Sequence, residues 1–180
     1  MFSDFEDTAP LGFEDTHADE KVLRFLKKQI SDFMGYVKEN YPDDELTKNL
    51  VAKYADVQLL PYRKGSTSGS YNSGSFDHSS GILRVAPRDG AGKIRDEASL
   101  NKTIVHELSH GTRVKYIGET SHSHEWKDAW KHFLKIATEN LGWAVESSCS
   151  TMKFYGLEKS DCPRCRWDNE DCPDDLKPLR

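Results

Sequence analysis

An α+β domain with a small antiparallel or mixed sheet is the fold class this sequence predicts, and three observations carry it. Apolar residues recur at steps of three and four along several long segments, the mark of helices with one inward face. Two short runs, "VQLLPY" (57–62) and "GILRVAP" (81–87), read as strands. The stretch "TIVHELSHGT" (103–112) holds His-Glu-x-x-His at the end of a helical pattern, the spacing that places two imidazoles on one helix face.

The bulk numbers bound the reading. The 180 residues are 36% hydrophobic and 31% charged, enough for one ordinary domain with an arm or tail. No run approaches the length of a membrane span. The start "MFSDFEDTAPLGFEDTHADE" has neither the basic nor the apolar region of a secretory signal. A cytoplasmic or nuclear location is expected, or a virus particle assembled there. In such compartments cysteines are thiols or metal ligands more often than disulfides. A net charge of −5 speaks against a dedicated nucleic-acid binder.

Residues 1–16 repeat "FEDT" at Phe5–Thr8 and Phe13–Thr16, acidic and too sparse in apolar groups to build a core, and read as a flexible arm. Residues 17–145 are the domain. Thr16 and Asp19 resemble a helix start. Val22, Leu26, Ile30, Phe33 and Val37 then form one apolar face, and the helix ends before Pro42. A shorter helix follows over "DDELTKNLVAKY", with Leu46, Leu50 and Tyr54 inward. Between the two strand runs, "RKGSTSGSYNSGSFDHSS" lacks the Gly-Lys-Ser/Thr of a phosphate loop and reads as a flexible hairpin tip or a lip over a groove. Ser99 can cap a helix from Leu100 through His110, with Leu100, Ile104 and Leu108 inward. A last helix, about Ser123 to Leu141, carries Trp126, Trp130, Phe133, Leu134 and Ala137.

His106 and His110 can aim ring nitrogens at one ion about 2 Å away. Glu107, beside the first of them, can reach a metal-bound water without ligating. Zinc lowers the pKa of such a water to about 7, and the carboxylate can take its proton as it attacks a carbonyl. A catalytic zinc needs a third protein ligand and one open position. "ETSHSHEWKDAWKHF" offers His122 and His124, and the Gly111–Ser121 loop is long enough to bring either back to the ion.

"HELSH", about a dozen residues, then "HSHEWK" resembles the WLM-domain and SprT-like zinc metallopeptidases, in the compact form found in large DNA viruses. In those families the third ligand begins a His-x-x-x-aromatic segment. His122 with Trp126 fits that register, whereas starting at His124 puts Asp128 in the aromatic place. The resemblance therefore implies His106, His110 and His122 as zinc ligands, His124 as runner-up, and Glu107 as general base and then acid. It covers Leu100 to Leu141 and implies a zincin-like domain that hydrolyses protein substrates, among them proteins crosslinked to or bound on DNA. Lys127, Lys131, His132 and Lys135 form a basic band on the last helix that would suit DNA, or simply water. Tyr62, Tyr71 and Tyr116 could each donate to an oxyanion.

The tail, 146–180, contains "SDCPRCRWDNEDCP". Cys162 and Cys165 have half-knuckle spacing, and Cys172 and Cys149 could complete a second, structural zinc. Plain thiols and a redox pair or disulfide are the alternatives. A zinc-dependent protease is thus the expected function. Its rival is a non-catalytic zinc-binding structural or interaction protein, such as a component of a virus particle.

Overall fold

In the computed structural model of the protein, residues 16–61, 73–112 and 124–145 are described. Helix α1 (Thr16–Asn40) runs the full length its apolar stripe predicts. Val22, Leu26, Ile30, Phe33 and Val37 are all buried along that face. Asp19 in its first turn meets the buried Arg88 at 3.4 Å, which ties the start of α1 to the turn-rich stretch before the next long helix. Helix α2 (Glu45–Lys53) opens on Asp44, whose carboxylate accepts from the Thr47 amide. Leu50 is buried as expected, while Leu46 and Tyr54 are only half-buried and Thr47 takes the inward place.

The sheet has three strands, β1 (Asp56–Leu59), β2 (Gly74–Phe76) and β3 (Ile82–Val85), in the order β1-β3-β2. Here the hairpin reading needs correction. The two strand runs seen in the sequence pair parallel, Val57 opposite Leu83 and Leu59 opposite Val85. Parallel neighbours cannot be joined by a tight turn, so the intervening chain must cross over. Part of the Gly/Ser-rich segment read as a hairpin tip is β2, antiparallel to β3 with Ser75 opposite Arg84. The sheet is mixed.

Helix α3 (Glu97–His110) lies against this sheet, and α4 (His124–Lys135) packs on α3. One π-helical turn, Ile136–Asn140, continues α4. The inward residues of α4 meet α1: Phe133 stands edge-on to Phe33 with ring centres 5.1 Å apart, and Trp143 follows at 6.0 Å from the same ring. α3 is therefore the middle element, between the sheet and two other helices. Leu100, Ile104, Val105 and Leu108 are all buried.

The approach of β2 to α3 is close because residue 74 has no side chain. A Cβ at Gly74 would stand 2.6 Å from Thr103 Cγ2, 2.9 Å from the Arg84 carbonyl oxygen and 3.2 Å from Glu107 Cγ. Backbone cannot give way cheaply there, so the sheet would have to lift off the helix. Gly74→Ala is expected to destabilise the fold by about 1–3 kcal/mol, the usual cost of overpacking. Urea denaturation measures it, and an unchanged midpoint would show that β2 has room to spare.

Candidate metal centre

Helix α3 is started by Asp96, three residues before the expected cap. Its carboxylate accepts from the Ser99 amide at 2.8 Å and adds negative charge at the helix N-terminus. Ser99 is released from capping, and its hydroxyl accepts from Arg95 Nε at 3.0 Å. The buried Arg95 guanidinium also donates to the carbonyls of Ala86 and Ser99 and to the Thr103 hydroxyl. It fastens the end of β3 to the first two turns of α3.

Because α3 is enclosed, polar side chains on it are buried and must be satisfied locally. Asn101 accepts from Gln29 of α1 and donates to the Ala144 carbonyl, both at 2.9 Å. Ser109 donates to the Val105 carbonyl at 2.7 Å. Thr103 is met by Arg95. Glu107 differs. It is 5% exposed, and among the described residues its carboxylate accepts no hydrogen bond; its polar contact is His106 Nε2, 3.8 Å from Oε1. Burial pushes its carboxyl up to about 8, far above the ordinary carboxylate range.

One turn apart, His106 and His110 bring their Nε2 atoms to 3.3 Å, with ring centres 5.0 Å apart. Ligand atoms from His106, Glu107 and His110 all lie within 4.8 Å of one another. α4 supplies a wall. The buried Trp126 has its ring centre 4.8 Å from that of His106 and 5.4 Å from that of His110, and its indole N–H donates to the His106 carbonyl at 3.3 Å. Trp130 stacks on Trp126 in turn, 6.0 Å away. His106 also borders a cleft of about 270 Å³, lined by Arg95, Ser99, Lys102 and Thr103 among others. That volume is below the usual range for organic ligand pockets, about 300–1,000 Å³.

The structure thus brings together the three motif residues. His122, the expected third ligand, lies outside the described residues, as do Cys149, Cys162, Cys165 and Cys172, and Tyr62, Tyr71 and Tyr116. His124 is the first residue of α4. In the basic band Lys135 is exposed, while Lys127, Lys131 and His132 are half-buried and His132 stands edge-on to Tyr41 at 4.8 Å. Sequence reasoning placed Trp126 on the last helix and used it to fix a register, but missed it as the wall of the histidine pair. It also missed Arg95, which no motif marks.

The family described as Phycodnaviridae minor capsid protein P4 matches residues 1–176. The chain belongs to that family. A curated relative, the minor capsid protein P4 of Paramecium bursaria Chlorella virus 1, is 64% identical over 179 residues, covering 98% of this chain and 99% of the relative. No solved structure matches. These findings overturn the resemblance to WLM-domain and SprT-like metallopeptidases, and with it the zinc-protease reading and the peptide and DNA-bound substrates it implied. The physical reason is the shortness of the signal. His-Glu-x-x-His needs only one helical turn, and the resemblance spanned Leu100–Leu141, whereas the family match runs along nearly the whole chain. What stands is the placement of the three side chains. The general-base role of Glu107 belonged to the protease reading and has no reaction to serve without it.

The position of Glu107 has a consequence for stability. In chelator-treated protein the folded state keeps a proton on this carboxyl up to about pH 8, while the unfolded chain releases it near 4.5. Stability is therefore full below pH 4.5 and falls as pH rises towards 8, because the native state binds more protons. The change is on the order of a few kcal/mol. Glu107→Gln, which cannot ionise, should flatten this dependence in urea denaturation from pH 5 to 8.5. Parallel slopes in wild type and variant would mean that Glu107 does not cause it.

Proposed function

We propose that the chain is a structural component of a virus particle, a minor protein of the capsid that acts by contact with other virion proteins. This is the non-catalytic reading that the sequence left as the rival to a protease. The observation that carries it is the end-to-end match: one family over residues 1–176, and a minor capsid protein aligned over 99% of its own length. At 64% identity over that span, the two chains are similar along their whole length. No helix among the described residues is long and apolar enough to cross a membrane.

The zincin-like character of the domain stays within this proposal. It is supported by the mixed sheet packed on α3, with His106, Glu107 and His110 in its last two turns and α4 against it. A scaffold of this kind offers a capsid a rigid centre, since buried polar groups of α3 are fastened to α1, through Arg95 to the end of β3, and to the chain after α4.

Particles purified on a density gradient, washed with high salt and digested for mass spectrometry test this reading. Peptides of this chain should copurify with the major coat protein at fixed stoichiometry, and lysine crosslinking should join it to other virion proteins. Its absence from washed particles, with full recovery in the soluble fraction, would contradict the proposal.

A further inference from the structure

We infer that His106 and His110 hold one divalent transition-metal ion, zinc by preference, with Glu107 as the buried carboxylate that balances its charge. The ion is a clasp within the fold, and the inference does not rest on the capsid reading. Its first support is a length. Two imidazole nitrogens bound to zinc at about 2.0–2.1 Å in tetrahedral geometry stand about 3.3–3.4 Å apart. The two Nε2 atoms are 3.3 Å apart. A direct N–H···N bond at that distance would be long, whereas for two ligands of one ion it is the natural spacing.

The second support is the buried carboxyl group beside the pair. A buried carboxylate is costly unless something charged or hydrogen-bonding answers it. Asn101, Thr103 and Ser109, the other buried polar side chains of α3, are answered from within the protein. Glu107 is aimed at the histidine pair and, among the described residues, is met only by His106. A dication held there supplies the missing partner. Two imidazole donors with a carboxylate beside them suit zinc, cobalt or nickel and not magnesium or calcium, which take oxygen shells.

Trp126 gives the site its rigidity. The indole covers both imidazole rings and bonds the His106 carbonyl, so the rings are held in place by α4 rather than by the metal alone. Binding therefore couples the last turn of α3 to α4. Since the unfolded chain has no such site, the ion stabilises the native state in proportion to its occupancy.

Cobalt(II) added to the full-length, chelator-stripped protein tests the assignment. We expect one equivalent to bind without a thiolate charge-transfer band, to quench tryptophan fluorescence through Trp126, and to raise the melting temperature. Excess zinc should reverse the quenching. His106→Ala and His110→Ala should each abolish the quenching and the thermal shift while keeping the helical circular dichroism, alanine being a good helix former. Glu107→Gln should weaken binding roughly 10–100-fold, as loss of a supporting partner around a metal does. Wild-type protein that binds no cobalt would overturn the inference without any variant. So would binding that leaves fluorescence unchanged and shows a thiolate band, or a well-folded histidine variant that binds as wild type does.

Discussion

Helix α3 is enclosed by the sheet, α1 and α4, and the rest of the structure follows from the need to satisfy the polar groups trapped on it. A surface helix would present one apolar stripe and leave its polar side chains to water. Here Asn101, Thr103, Glu107 and Ser109 are as buried as the leucines. Each requires a partner within the protein, and the partners define the tertiary contacts. Gln29 fixes the register of α1, Arg95 fixes the end of β3, and the Ala144 carbonyl fixes the chain beyond the π-helical turn. Gly74 lets the sheet come close enough for this enclosure to be complete. A single carboxylate is left over, and it points to the histidine pair.

That leftover group separates two ideas that the motif runs together. His-Glu-x-x-His is read as catalytic because a carboxylate beside a zinc-bound water can remove its proton. The same three residues also meet a purely structural demand: two partly buried ligands one turn apart, and a buried negative charge to accompany a dication. Nothing in the spacing distinguishes the uses. The extent of similarity bears on the choice, since it runs along nearly the whole chain to a minor capsid protein. A charge-balanced clasp fits the structural role proposed above for the chain.

Periodicity made the helices legible. The stripe Val22–Val37, the inward Leu100, Ile104 and Leu108, and the aromatic face of α4 are all buried where the pattern puts them. The sheet was only half legible. Val57 and Leu83 have the residues of strands, but β2 is three residues in a Gly/Ser-rich stretch, and its existence is dictated by tertiary contact with α3 and β3 rather than by propensity. Parallel pairing of β1 with β3 is likewise a long-range fact with no local signature. At the site, the local triad was visible because i and i+4 are neighbours on any helix. Trp126 was not, since its place over the two rings depends on how α4 crosses α3. Ser99 gave a plausible cap, but Asp96, with a full charge for the helix dipole, took it.

X-ray absorption at the zinc edge, on full-length protein loaded with one equivalent of zinc, tests the central claim most directly. The account predicts a first shell of nitrogen and oxygen at about 2.0–2.1 Å, with the outer-shell scattering of imidazole rings. A first shell made of sulfur at about 2.3 Å would place the ion among the cysteines and contradict the clasp on α3.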